Sequence, residues 1–292
     1  MMRPPDAPDL ARFYHGDFRV TTRLQDKILG ALLPERRILA LEGPRAEQVD
    51  FLNALVSNDV RRATQDRPVY AALLTPQGKY LADFLIFEGA GGNLRLDAEA
   101  GQIEDLLKRL TMYRLRRPLK LRVEEDQGVA AFWGEGAKPG LADPRDPALG
   151  TRLYGALPAL EAALAQAEPG DYDAHRLALG IPASGRDLIS GEGYILEAGF
   201  ERLHGVDFRK GCYVGQEIVA RMKHKTELRK GLARVRVEGE APEGAEIRNA
   251  EGKPAGILRS HLGGVGLADL RFDRAEGLLT TPEGAVVRLE GP

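Results

Sequence analysis

The stretch FRKGCYVGQEIVARMKHK, Phe208 to Lys225, contains Cys212, the one cysteine of the chain. An ionised thiol is a nucleophile and a soft metal ligand, so its surroundings decide what it can do. Apolar Ile218, Val219 and Met222 fall at helical spacing and predict a helix from near Gly215. Cys212 then sits in the turn just before that helix, where free amides and the helix dipole favour an anion. Lys210 and Arg209 add positive charge, so Cys212 and Lys210 are the candidate catalytic pair. Gly211, Tyr213 and Gly215 shape the turn; Gln216 and Glu217 can orient it by hydrogen bonds, and Arg221 stands one helical turn from Glu217. The bland alternative is a small buried hydrophobe filling a turn. One thiol cannot hold an iron–sulfur cluster, which wants about four thiolates. His204 and His224 are too far apart along the chain to complete a zinc site, so no metal is expected on the chain alone.

The elements that must position this turn are legible as hydrophobic patterns. From Arg37, RILALEG reads as a strand, and AEQVDFLNALVSNDV places Val49, Leu52, Leu55 and Val56 on one helical face. VYAALLTPQGKYLADFLIFEG is a hairpin around Pro-Gln-Gly, NLRLDAEAG a strand, and AGQIEDLLKRLTMYRL an amphipathic helix. LKLRVEED and GVAAFWG follow as strands of the same succession, giving an α+β sandwich with an antiparallel sheet. The Gly-, Pro- and Asp-rich segment 135–150 reads as a loop or seam, followed by a helix over ALPALEAALAQAE. After Lys230, short strands with Gly and Pro punctuation predict a small β-barrel. The domains are therefore drawn as 1–230 and 231–292.

Composition narrows the class. With 292 residues, 43% hydrophobic and 29% charged, the chain has the make-up of a folded globular protein. A net charge of −2 gives no wholesale attraction to polyanions, so such a partner must be met by a local patch. Two exist: Lys108–Arg122 has seven Lys or Arg and no acid, and Arg221–Arg236 has seven against one Glu. Neither interleaves exposed aromatics apart from Tyr113, so RNA binding is the weakest of the functions considered and no nucleic-acid partner is expected. Acids at Asp6, Asp9 and Asp17 argue against a transit peptide, and no apolar run is long enough for a membrane span. A lone free thiol favours a reducing compartment. The expectation is a cytoplasmic protein with no membrane partner.

KGCYVGQEIVAR resembles the K-G-C-[FY]-x-G-Q-E signature of the YgfZ family, folate-binding proteins related to the glycine-cleavage T-protein (aminomethyltransferase) and involved in iron–sulfur cluster assembly or repair. FLNALVSNDV, LLTPQGKYLADFLIF, RLALGIP, GKPAGILRS and GLADLRF are similar to further family segments, so the resemblance runs from about Arg37 to the C-terminus. It implies a T-protein-like fold, two α+β subdomains and a C-terminal β-barrel around a central opening for tetrahydrofolate. By the same match, Asn58, Asp83 and Arg176 line the folate cavity, and Tyr172 offers an aromatic face to the pterin.

The resemblance also separates two functions. Aminomethyltransferases carry paired acids in G-G-x-x-D-D, whereas here Ala82 precedes Asp83, and Ala178 stands where R-L-E-A-G has glutamate. Aminomethyl transfer needs carboxylates to handle protons, so enzymatic activity is left open. The function implied is an accessory factor that binds tetrahydrofolate or a one-carbon derivative and serves iron–sulfur client enzymes or assembly proteins, with Cys212 as the reactive residue. A folate-dependent aminomethyl or demethylating transferase is the alternative.

Overall fold

The structure, a computed structural model, describes residues 27–225 and 228–290. The acids at positions 6, 9 and 17 lie outside the described residues. In chain order the elements are β1 (Ile28–Leu32), β2 (Arg36–Glu42), α1 (Arg45–Asn53), β3 (Val69–Leu74), β4 (Tyr80–Glu88), β5 (Leu94–Glu99), α2 (Ile103–Arg114), β6 (Lys120–Val123) and β7 (Gly128–Gly134). There follow β8 (Leu141–Ala142), β9 (Thr151–Gly155), α3 (Leu157–Leu164), β10 (Glu168–Pro169), α4 (Tyr172–Ala178) and α5 (Gln216–Lys225). The last six strands are β11 (Lys230–Glu238), β12 (Glu246–Arg248), β13 (Pro254–Leu262), β14 (Val265–Arg271), β15 (Leu279–Thr280) and β16 (Val286–Leu289).

The first sheet has the order β3-β4-β5-β2-β6, with every neighbouring pair antiparallel. One face packs on α1 and α2 through Leu39, Leu52, Ile86, Leu96 and Leu106. The other face buries Tyr70, Leu74 and Leu85 against Ile181, Ile195 and Phe200 of the segment 179–215, which carries neither helix nor strand. Burial on both faces explains why VYAALL and YLADFLIF read as continuous apolar runs instead of alternating ones.

The second sheet has the order β10-β1-β7-β9-β8. Here the structure corrects the sequence expectation: GVAAFWG does not extend the first sheet but is the centre of the second, between β1 and β9. The strand β1 lies before Arg37, where the pattern analysis began. The segment 135–150, expected as a loop, contributes β8 and a one-turn 3-10 helix at Pro147–Leu149. In the C-terminal unit, β11 to β16 close into a barrel in the order β11-β14-β13-β12-β15-β16. Alternating burial along β11 turns Ala233, Val235 and Val237 inward.

Candidate functional site

Between the two sheets and the start of the 179–215 segment lies a cavity of about 940 Å³. Asp83, Tyr172 and Arg176, three of the four residues placed there by resemblance, line it together. Asp83 projects from β4 and is buried, and its carboxylate accepts from three hydroxyls: Tyr80 at 2.6 Å, Ser184 at 2.5 Å and Tyr70 at 3.0 Å. Burial first, and the Asp83 charge second, push the Tyr70 and Tyr80 phenols well above their ordinary range, so both stay donors. The Tyr172 hydroxyl accepts from Arg145 at 3.3 Å and from Arg152 at 3.2 Å, while the Tyr172 ring meets Trp133 edge-on at 5.8 Å.

One expectation for this cavity is corrected. Asn58 does not reach it: its amide donates to Tyr70 O at 2.8 Å and His204 O at 2.7 Å, and its oxygen accepts from the Asp59 amide. Every polar hydrogen of that side chain is already used. Arg176 lines the cavity, but its guanidinium is committed, donating to Asp173 at 2.6 Å, Asp187 at 2.8 Å, Ile181 O at 3.1 Å and Ser260 at 3.1 Å. It ties α4 to the loop after it and to barrel strand β13; its charge is met by Asp173 and Asp187.

Besides Arg176, the buried Arg36, Arg145 and Arg152 and the more exposed Arg186 line the cavity, and none of these four was foreseen from the sequence. Arg36 and Arg152 converge on Asp97 at 2.6 and 2.7 Å, and Arg145 and Arg152 on Asp143 at 2.7 and 3.1 Å. Burial opposes ionisation of both acids, but the guanidinium groups outweigh it and hold each carboxyl below its ordinary range. The lining also holds Glu35, Asp83, Glu99, Asp171 and Asp173, so the cavity presents both signs of charge. Glu99 stands beside Arg36, its partner across the β2–β5 ladder; it is part-buried, its pKa raised chiefly by burial. Beside it the Gln102 side-chain oxygen is buried without a hydrogen-bond partner. The one available signal was ADPRD at 142–146: an Asp two residues before an Arg inside a loop that must satisfy itself.

Cys212 lies elsewhere. It is exposed, sits four residues before α5 as expected, and does not line the cavity. The Gln216 side chain accepts from the Tyr213 amide at 3.2 Å and so closes the turn. Among the described residues no ion pair joins Glu217 to Arg221; Arg221 instead borders a surface pocket with Tyr194 and Met222. Lys210 is not a partner of the thiol. Its ammonium is buried and donates to three carbonyls, Asn53 at 2.7 Å, Val56 at 2.5 Å and Asn58 at 3.0 Å. Burial lowers its pKa to about 8. The SNDV segment and the cysteine motif are thus two halves of one clamp: Asn58 holds His204, Ser57 accepts from Asp207 and donates to Gly205, and Lys210 reaches back.

An α+β body with a closed barrel is the architecture of the aminomethyltransferase fold. A crystal structure of glycine cleavage system aminomethyltransferase T from Bartonella henselae superposes with a TM-score of 0.71 over 90% of this chain and 84% of that one, at 16% identity. The family model of the CAF17 C-terminal beta-barrel domain matches residues 229–292. Among curated proteins, the human mitochondrial iron–sulfur cluster assembly factor IBA57 is 31% identical, covering 88% of this chain and 82% of the relative. The IBA57 homolog of Mycosarcoma maydis is 32% identical over 84% of this chain and 74% of its own length.

The chain belongs to the IBA57 family. The YgfZ family suggested by the cysteine motif is a related one. The human, mouse and fungal relatives are mitochondrial proteins, which overturns the cytoplasmic expectation. A lone thiol separates reducing from oxidising compartments and does not choose among reducing ones.

Proposed function

We propose that this chain is an iron–sulfur cluster assembly factor that presents Cys212 to client or assembly proteins and binds tetrahydrofolate in the cavity. The observation that carries the first part is the exposure of Cys212 on a turn clamped by Lys210, Asn58 and Gln216, in a chain whose relatives are named as assembly factors. A thiol needs access and a fixed position to meet a partner's metal or sulfur. It supplies one ligand of the roughly four a cluster takes, so the others come from the partner.

Folate suits the residues of the cavity in size and donor set. A volume near 940 Å³ is at the upper end for a small-molecule site. Asp83, with a lone-pair position to spare beside its three hydroxyl donors, and Glu99 would accept from the amino and ring N–H groups of the pterin. Tyr172 would offer its ring, and the Nη1 groups of Arg36 and Arg145, which the pairings with Asp97 and Asp143 leave unused, would meet the glutamate carboxylates. Bound folate would supply a one-carbon acceptor. Ala82, buried in the sheet core on the strand face opposite Asp83, gives no second acid to the cavity.

The test is complementation. In cells lacking their own factor, Cys212→Ser should fold and accumulate yet fail to restore cluster-dependent enzyme activity. Asp83→Asn should bind tetrahydrofolate at least tenfold more weakly by calorimetry. Full rescue by Cys212→Ser would refute the thiol's role; the absence of any folate binding by the native protein would refute the cofactor.

A further inference from the structure

The basic stretch Lys108–Arg122 plays no part in the cavity chemistry or the cysteine turn, and the structure gives it an unusual form. Helix α2 buries Ile103, Leu106 and Leu110 and displays its far end: Met112 is 64% exposed and Leu115 80% exposed, with Tyr113 beside them. Leu115 has φ 52° and ψ −116°, inside a turn closed by Arg117 N–H donating to Arg114 O at 3.1 Å. These are the angles of the first central position of a type II′ turn, where glycine is the unstrained residue. Neither folding nor solubility favours a branched apolar side chain held there in water. Strain combined with exposure points to a role outside the fold.

The charges around the tip say what it meets. Arg109 pairs with Asp105 and Arg117 with Glu47, but Lys108, Arg116 and Lys120 form no ion pair among the described residues. A chain of net charge −2 therefore carries exposed unpaired cations in the same short stretch as three exposed side chains, Met112, Tyr113 and Leu115. We propose that this tip docks reversibly on the surface of an anionic phospholipid bilayer, Leu115 and Met112 entering the headgroup boundary while Lys108, Arg116 and Lys120 meet lipid phosphates. The tip is an exposed helix end, which a deformable interface accepts without a preformed groove. Tyr, Leu and Met flanked by Lys and Arg are the side chains that such an interface takes up. No helix among the described residues is long and apolar enough to cross a membrane, so the association is peripheral. The sequence expectation of no membrane partner rested on spanning segments and net charge, neither of which senses a local tip.

The test is sedimentation of the full chain with phosphatidylcholine vesicles, with and without one-third phosphatidylglycerol. The native protein should partition onto the anionic vesicles only, less so as salt rises. Lys108→Glu with Arg116→Glu should weaken this at least tenfold, at about fivefold or more per lost cation. Leu115→Gly should also weaken partitioning while melting at the same or a higher temperature, so lost binding cannot be ascribed to unfolding. Equal partitioning onto neutral and anionic vesicles, or tip variants that bind like the native chain, would overturn the proposal. Loss of a protein crosslink in the charge-reversed variant, without any vesicle binding by the native chain, would assign the tip to an acidic protein and overturn it equally.

Discussion

Gly78, in the β3–β4 turn, and Gly215, just before α5, meet backbone to backbone. A Cβ at Gly215 would stand 3.1 Å from the Gly78 Cα and 2.6 Å from the Thr75 carbonyl, and one at Gly78 would stand 2.8 Å from the Ile218 Cβ. Both have positive φ, 75° and 83°. The Pro-Gln-Gly turn and the Val-Gly-Gln-Glu motif, far apart in sequence, are therefore one contact, and it seats the turn that carries Cys212.

Gly215→Ala should destabilise the protein by about 2–4 kcal/mol, from a left-handed residue and a backbone overlap together. Urea denaturation measures it. A loss below about 1 kcal/mol would mean that the two backbones separate without strain.

The Lys210 anchor makes a second prediction. Lys210→Met keeps the length of the stem but strands three buried carbonyls, at a cost of about 2–4 kcal/mol. The loss should be local, appearing as faster amide hydrogen exchange across 206–215 with α2 and the barrel unaffected. Lys210→Arg should rescue only in part, because a planar guanidinium cannot converge on the three carbonyls as an ammonium does. Unchanged exchange in Lys210→Met would show that Asn58 and Asp207 hold the segment without it.

The arrangement of this clamp shows where sequence patterns stop. The hairpin, α2, the start of α5 and the barrel were legible because each is a local periodicity: Ile103, Leu106 and Leu110 at helical spacing, and Ala233, Val235 and Val237 at spacing two. The split into two sheets was not, because β7 alone has the same apolar pattern whichever sheet it joins; only its pairing with β1 and β9 decides. Asp83 and Tyr172 were placed in the cavity by resemblance. Resemblance misplaced Asn58, and local charge misassigned Lys210 to the thiol, since sequence names a polar residue without naming its partners. Arg176 lines the cavity, but its ties to Asp173, Asp187 and Ser260 were not legible. The buried Arg36, Arg145 and Arg152 of the cavity wall come from β2, the 135–150 segment and β9, and no short window holds all three.

The Asp97 and Asp143 network predicts an acid limb. Each carboxyl is held below its unfolded value near 3.8, so the folded state binds fewer protons than the unfolded one as pH falls. Their stabilisation is therefore complete above about pH 5 and is lost progressively below the unfolded value, toward the folded one. Asp143→Asn should flatten that limb and, by leaving Arg145 and Arg152 partly uncompensated, lower stability at neutral pH by about 3–5 kcal/mol. Denaturation midpoints from pH 7 to pH 2 measure both. An acid limb of native steepness in Asp143→Asn would remove Asp143 from it.

Whether the thiol and the cavity form one working site or two is decided by how they couple. Cys212 does not line the cavity, and the hydrogen bonds that lead from the cavity toward its turn run from Asp83 to Tyr70, from Tyr70 to Asn58 and from Asn58 to Lys210. Separate sites with no shared partner behave additively. Cys212→Ser should therefore leave tetrahydrofolate affinity within about twofold of native, and Asp83→Asn should leave the alkylation rate of Cys212 unchanged. The exception would run through Tyr70, whose hydroxyl donates to Asp83 and whose carbonyl accepts from Asn58. If saturating folate slows alkylation of Cys212, and Tyr70→Phe abolishes the slowing without abolishing folate binding, then that tyrosine links the two sites and additivity fails. If folate leaves the alkylation rate untouched, the cavity and the cysteine act independently, and the proposed cofactor has no part in presenting the thiol.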